Sequence, residues 1–408
     1  MNETNEPIAN ASLEELLGVI RASCPALETE RIPLSQAIGR VLREDILASE
    51  DQPAFDRSAV DGYAINLDDG SHQFRVVDFL RAGDWRPRDL SHGETIRIAT
   101  GAALPARNLQ VMMQEDVQVE NGSCSVLRRT AERNIRMRGE DAHGGDRLIA
   151  AGTRITPGVA ALLASLGQVN PLVSRLPRVI HFATGDEIVS PENMPAPGQI
   201  RDSNSTLIHA FFQTHCIGVT QLRLPEDFDR ATAVVATHKA EIEAADLLLF
   251  SGGASVGQHD YTSRLLAQLG FTLRVGRTNL RPGRPLIVAS QGTRIAFGLP
   301  GNPLAHFVGL QVLVHSAIAA FSGFTKPLTR YKGRLVAAVD AGAGPRETLW
   351  PAHVRLAGDS TEITLLPWQS SGDLTALATT NAIARIPVGT GILAIDSEVE
   401  FFLTDTLP

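Results

Sequence analysis

Apolar positions recur at helical spacing in residues 12–23 (SLEELLGVIRAS), behind a serine able to cap the helix. A loop leads into IPLSQAIGRVLREDI, a mixed segment. From Asp51 the pattern shortens. The runs QFRVVDFL, TIRIAT and LQVMMQEDV, separated by Gly, Pro and Asp, predict a small β domain over residues 52–138. Helical spacing returns from Ile155 to Leu166, opened by Thr156-Pro157 and closed by Gly167. Between Arg178 and Phe324, apolar strands (RVIHFA, ADLLLFS, RIAFGL) alternate with helical stretches (TLIHAFFQTHC, RATAVVATHKAEIEAA, YTSRLLAQLG). That alternation predicts a parallel sheet wrapped by helices. Past residue 330 the short strands RLVAAVD, EITLLP, AIARIP and EVEFFLTD predict a second small β domain or barrel. No apolar run approaches the roughly 18 residues that a membrane span needs.

The 408 residues allow two to four domains. A net charge of −8 disfavours a nucleic-acid binder, so an anionic substrate needs a local basic pocket. Cys24, Cys124 and Cys216 match no zinc or redox spacing, and the acidic, polar N-terminus is unlike a signal peptide. Both features predict a reducing, cytoplasmic setting. Of 37 basic residues only Lys239, Lys326 and Lys332 are lysine.

In an open α/β sheet, ligands bind beyond the carboxyl ends of the strands. Three glycine-bearing loops fall there: Thr184-Gly185-Asp186-Glu187, Ser251–Gly257 (SGGASVG) and Pro300-Gly301-Asn302-Pro303. The second is the most phosphate-like, because glycines let backbone N–H groups approach an anion, with Ser251 and Ser255 adding hydroxyl donors. It fits neither the nucleoside-triphosphatase nor the dinucleotide pattern. Asp186, Glu187, Asp202, Asp227 and Asp260 supply hard oxygen donors suited to Mg²⁺, although each could instead cap a helix. Arg281 and Arg284, on a Pro-Gly turn before the strand LIVAS, could hold an oxyanion.

Taken together, nine ordered segments resemble the molybdopterin molybdenumtransferases, which include the E domain of gephyrin. They are PAFDRSAVDGYAI (Pro53–Ile65), RIATGAALP (Arg97–Pro105), QEDV (Gln114–Val117), IRMRGED (Ile135–Asp141), ATGDEIV (Ala183–Val189), GQIRDSNS (Gly198–Ser205), SGGASVGQHDY (Ser251–Tyr261), RPGRPL (Arg281–Leu286) and FGLPGNP (Phe297–Pro303). The resemblance implies a multidomain α/β plus β fold. Its parts are a central three-layer α/β sheet domain similar to pterin adenylyltransferases (residues 8–25 and 176–326), an elongated linking domain (26–51 and 139–175), and two small β-rich domains. Those last two are residues 52–138 and a barrel-like 327–408.

The implied reaction inserts molybdate into adenylylated molybdopterin and releases AMP, assisted by Mg²⁺ or another divalent cation. The implied assembly is a homodimer with a shared site, with the pterin adenylyltransferase and molybdoenzymes or their chaperones as further partners and neither nucleic acid nor membrane. Carried across, Asp61, Thr100, Asp141, Glu187 and Asp260 are the catalytic set, with Asp61 and Thr100 reaching in from the partner subunit. Glu187, Asp227 and Asp260 are the metal set. Asp202, Ser203, Asn204, Ser251, Gly252, Gly253, Ser255, Gly257, Pro300, Gly301 and Asn302 hold the pterin and phosphate. Arg281 and Arg284, standing where the family usually has lysines, and Ser371 bind molybdate. Tungstate use, a non-catalytic pterin carrier or scaffold, and a pterin adenylyltransferase are the competing readings.

Overall fold

The structure is a computed structural model and describes residues 6–252, 259–324 and 328–404. The chain forms two compact units, one of residues 1–43, 152–158 and 170–408, the other of 44–151 and 159–169.

The first unit is built on a six-stranded sheet. Its spatial order is Val219–Leu224, Val179–Thr184, Leu247–Ser251, Arg294–Leu299, Ile287–Gln291, Thr272–Val275. The first four strands are parallel, as the apolar runs predict. The last two pairings are antiparallel, so Ile287–Gln291 runs against the other five strands, which corrects the expectation of a parallel sheet. The reason is local: Gln291 to Arg294 closes a tight hairpin, and two residues between strands leave no room for a crossover helix.

Alternation explains how the sheet is buried. Val179, Leu247, Leu249, Ile295 and Phe297 point into one apolar cluster with Leu13, Leu16, Ile20, Ile208 and Phe212. Their neighbours Ile180, Phe182, Leu248, Phe250 and Ala296 point into another, with Ala231, Val235, Ile242 and Leu265. Strands apolar on both faces read as continuous hydrophobic runs, which is how they appear in the sequence.

Helix Leu13–Ser23 starts with a capping box. Ser12 Oγ accepts from the Glu15 N–H at 3.3 Å, while the Ser12 N–H donates to Glu15 Oε2 at 2.8 Å. Ser12→Ala is expected to cost about 1 kcal/mol in urea-unfolding free energy; no change would mean the helix is held by tertiary packing alone. Pro303–Phe321 is one apolar helix of 19 residues with a π turn at Gly309–Val314, long enough to cross a membrane by composition. The sequence pattern missed its length. Leu304, Val308, Leu310, Leu313, Ala317 and Phe321 are buried, and those of them in the main cluster pack beside the sheet, so it is a core helix.

The carboxyl-terminal strands form the expected barrel. Glu347–Ala357, Ser360–Leu365, Tyr331–Leu335, Glu398–Leu403 and Ala382–Ile386 pair in that order, and the last pairs with the first, closing the ring. Leu280–Arg281 adds a short parallel arm to its edge.

The second unit holds a six-stranded sheet ordered Leu109–Met113, Gly62–Asn66, Glu94–Ile98, Gln73–Leu80, Ser123–Val126, Val117–Glu120. Tyr63 and Ile65 enter one core with Phe74 and Met112, while Ala64 enters the other with Ile96 and Val111. All three cysteines are free thiols; burial pushes Cys24 up to about 12 and Cys124 up to about 11.

Candidate functional site

In the first unit, three strand ends meet at one sheet edge. Thr184 closes Val179–Thr184, and its Oγ1 donates to the Ser251 carbonyl at 2.8 Å, tying two of the ends together. Gly252 takes a φ of +85°, and a Cβ there would lie 2.8 Å from Thr184 Oγ1 and 3.0 Å from the Thr184 carbonyl oxygen. Only glycine permits that approach. The third loop comes close as well: a Cβ on Gly301 would lie 3.6 Å from Gly252 Cα. Asn204 reaches across and donates to the Gly301 carbonyl at 2.8 Å, while its own Oδ1 is buried without a partner among the described residues. Asn302 caps the long core helix in position, with Pro303 at its first turn, and donates to Ser371 Oγ at 2.6 Å. Ser371 of the barrel is thereby joined to the sheet edge. The helix amino terminus points its positive dipole end beside these loops, and its Leu304 N–H donates to the Ser371 carbonyl at 3.1 Å.

Several expected ligands have structural duties. Asp202 caps helix Ser203–Thr214, accepting from the Ser205 N–H at 2.9 Å and from its hydroxyl at 2.6 Å. Ser203 opens that helix half-buried. Asp227 caps Phe228–Thr237 through the Arg230 N–H at 2.9 Å, with one oxygen. Ser251 is turned inward and buried, its Oγ 2.6 Å from His181 Nε2, so its hydroxyl does not line the loop surface as expected. Gly253, Ser255, Gly257 and the Asp260 side chain lie outside the described residues.

Carboxylates dominate the rim. Burial first, then the charges of Glu226, Asp186 and Asp227, push the Tyr261 phenol up to about 12. Glu187 is exposed at the same strand end, its carboxylate folded back over Gly185, where a Cβ would meet Oε2 at 2.8 Å. Among the described residues no three His, Cys, Asp or Glu side chains are gathered tightly enough to hold a metal ion by themselves. Oxygen donors that need a substrate phosphate to complete the shell are nonetheless the chemistry Mg²⁺ takes. A polar cleft of about 390 Å³ opens beside the same edge, lined among others by Ser190, Asp202, His209 and Arg223.

Arg281 and Arg284 have a third companion that sequence reasoning missed. Burial, then the charges of Arg284 and Arg281, hold the Arg346 guanidinium below its ordinary value. None of the three has a carboxylate partner among the described residues, whereas most of the chain's ion pairs engage arginine. Arg281 lies over the Trp368 ring at 5.1 Å, and with Arg346 and Thr348 it lines a cavity of about 90 Å³. Neighbouring guanidiniums without a carboxylate partner among the described residues suit a small oxyanion. One arginine among 34, with no local motif, gave no signal for Arg346.

In the second unit, the exposed Asp61 carboxylate accepts from the Thr100 N–H at 2.8 Å, so these two residues form one constellation. Gly62 beside them lies against the neighbouring strand's backbone. Asp141 is half-exposed and ion-paired with Arg136.

Comparison with known proteins gives this arrangement its kin. Residues 11–167 match the MoeA N-terminal region (domain I and II), and residues 181–320 match the probable molybdopterin binding domain. The molybdopterin molybdenumtransferase of Bacillus subtilis is 34% identical over 379 residues, covering 89% of this chain and 87% of that protein. The chain belongs to the molybdopterin molybdenumtransferase family. Its namesake from Nostoc is 32% identical over 91% of this chain and 88% of that one. The molybdopterin biosynthesis MoeA protein of Pyrococcus horikoshii has a similar structure, with a TM-score of 0.78 and 28% identity over 97% of this chain and all of that one. The family's multidomain α/β fold, with β-rich parts and a barrel, is therefore this chain's fold.

Two buried histidines beneath this edge make acid stability a direct readout. Burial holds His181 at about 3 and His306 at about 4, against an ordinary 6.5. Both stay neutral when folded, but the unfolded chain takes up their protons below its own pKa. Stability is therefore unaffected above pH 6.5 and falls as pH drops from 6.5 toward 4. Each should remove about 1.4 kcal/mol per pH unit in that window. Urea unfolding at pH 7.0, 6.0 and 5.0 should show that slope, and His306→Leu should reduce it by about 1.4 kcal/mol per pH unit; an unchanged slope in the variant would assign the acid sensitivity elsewhere.

Proposed function

We propose that this chain inserts molybdate into adenylylated molybdopterin, releasing AMP and leaving molybdenum bound to the dithiolene, as an enzyme of molybdenum cofactor biosynthesis. The observation that carries the reading is the pairing, in one unit, of a glycine-lined backbone cradle at three strand ends with a trio of arginines that have no carboxylate partner among the described residues. The cradle of Gly252, Gly301, Asn302 and Asn204 suits the pterin and its phosphate. The sheet buried on both faces supports the three-layer description of that domain. Arg281, Arg284 and Arg346, with Ser371 beside Asn302, concentrate the tetrahedral dianion.

Glu187, with Asp227 and Asp260, would hold Mg²⁺, which supplies Lewis-acid stabilisation of charge on the departing phosphate. Glu187 orients the phosphoryl group and the ion, and the helix amino terminus at Pro303 favours the ligand's negative charge. Asp61 and Thr100 belong to the site through a second copy of the chain, so the functional unit is a homodimer, and Asp141 is a further acidic residue of that site. The free cysteines support a cytoplasmic setting.

The test is AMP release from adenylylated molybdopterin with Mg²⁺ across a molybdate titration. Saturable, molybdate-dependent release is expected. Tight pterin binding without release would replace the enzyme by a carrier or scaffold, and release with tungstate alone would change the metal oxyanion and keep the chemistry.

A further inference from the structure

Arginines in this chain are commonly held by carboxylates, as Arg128 is by Asp116 and Arg175 by Asp246, each at 2.7 Å. Arg281 is held differently. Its guanidinium carbon lies over the Trp368 ring, 5.1 Å from the centroid, inside the roughly 6 Å over which a cation is drawn to an aromatic face. The difference is chemical. A carboxylate would neutralise the charge and occupy N–H donors. A ring face orients the guanidinium, uses none of its N–H groups and leaves its charge for another anion. Arg281 lines the cavity of about 90 Å³ together with Arg346 and Thr348, and Trp368 is not among the described residues that line it. The ring therefore serves the arginine rather than the cavity.

The barrel places that ring. Leu366 is pinned to the strand Glu347–Ala357 twice: its N–H donates to the Pro351 carbonyl at 2.9 Å, and its carbonyl accepts from Trp350 Nε1 at 2.7 Å. Trp350 meets Trp368 edge to face, with ring centroids 6.1 Å apart at 86°. Arg281 is registered on the same strand, paired with Thr348 through the arm Leu280–Arg281. Cation and ring are thus both referred to one barrel strand. Further along the loop that carries Trp368, Ser371 Oγ accepts from Asn302 at 2.6 Å and the Ser371 carbonyl accepts from the Leu304 N–H at 3.1 Å. One loop therefore touches the arginine at one end and the glycine cradle at the other.

We propose that Trp368 is a positioning residue of the oxyanion site: its ring holds Arg281 by cation–π attraction, keeps the guanidinium N–H groups free for the anion and couples their placement to the Ser371 loop. The inference rests on the assignment of Arg281 to molybdate. Trp368 touches no reacting atom, so its loss acts on oxyanion binding and spares the adenylylated pterin. A packing role alone would give the opposite signature, a loss of stability with no preference for one substrate.

The test is a molybdate titration of the full chain, read by equilibrium dialysis and by tryptophan fluorescence. Trp368→Leu keeps apolar bulk and removes the ring face. It is expected to weaken molybdate binding about 10-fold, the scale of a partly desolvated cation–π contact, and to raise KM for molybdate equally, while KM for the adenylylated pterin stays within about twofold. Trp368→Phe, which keeps a ring face, should recover most of the affinity. In an Arg281→Leu background, Trp368→Leu should add nothing further, because the pair acts as a unit; additive losses would overturn the proposal. Molybdate should also change the emission of the unmodified chain, and Trp368→Phe should lose most of that change. No emission change at saturation would overturn the contact without recourse to any variant. Unchanged molybdate affinity in a folded Trp368→Leu protein would overturn the positioning role alone. Absence of molybdate binding by the unmodified chain would overturn the oxyanion site itself and this inference with it, whereas binding without AMP release would overturn the proposed reaction and leave Trp368 in its role.

Discussion

Glu187→Gln is expected to lower molybdate-dependent AMP release by about 100-fold or more, the usual scale for deleting one preorganised charge at a reacting phosphate. The substitution nearly preserves shape, so the Gly185 turn that lets the side chain fold back should survive. Glu187 is also exposed and spans no core contact, so the melting temperature should stay within about 1–2 °C of the original, as for a surface substitution away from structural features. The discriminating measurement is single-turnover AMP release beside a binding titration of the adenylylated pterin. Lost release with retained binding places the carboxylate at the departing phosphate. Lost binding would make Glu187 a ligand-holding residue, and full activity would remove it from the site. Asp227→Ala offers a contrast, because its carboxylate also caps a helix: besides lowering release it is expected to cost about 1 kcal/mol of stability, which Glu187→Gln should not.

Gly62→Ala is expected to be the most damaging substitution in the second unit. A Cβ at Gly62 would sit 2.0 Å from the Met112 carbonyl oxygen and 2.9 Å from Val111 Cγ1. The first of these is backbone, in a strand held by its own register to Gly62–Asn66, so it cannot rotate away. Forcing the strands apart should cost about 3 kcal/mol or more, at the upper end of overpacking penalties. The control is Gly122→Ala, at a φ of +79° in open space, where about 1 kcal/mol of backbone strain is the only cost. Limited proteolysis with equilibrium unfolding would separate them: early cleavage within residues 44–151 is expected for Gly62→Ala alone. Equal behaviour of the two variants would show that the strands can part cheaply.

These two residues mark what local sequence can carry. The Asp-Gly-Tyr-Ala segment was legible because each position has a local or next-strand duty: Asp61 receives the Thr100 N–H, Gly62 allows strand contact, and Tyr63 and Ala64 enter opposite cores. Thr184-Gly185 and Gly301-Asn302-Pro303 were legible for the same reason, since turn chemistry and helix capping are decided within a few residues. The helix behind Ser12, the alternating strands and the barrel followed from periodicity. The order of residue types along the chain therefore determined the elements, the loops at the strand ends and the family.

The tertiary structure decided which distant side chains meet. Arg346 joins Arg281 and Arg284 only because the arm Leu280–Arg281 pairs with the barrel strand that follows Arg346. Ser371 meets Asn302 across 69 positions, and His181 meets Ser251 across 70. Asp202, expected at the pterin, and Asp227, expected at the metal, each also cap the helix that begins beside them, a duty the sequence left open. Even the reversed direction of Ile287–Gln291 in the sheet depended on a two-residue hairpin rather than on its apolar pattern. Hydrophobic period sets which face of an element is buried, and it is blind to what that face is buried against; partners are chosen by strand register and helix packing, which are properties of the whole fold.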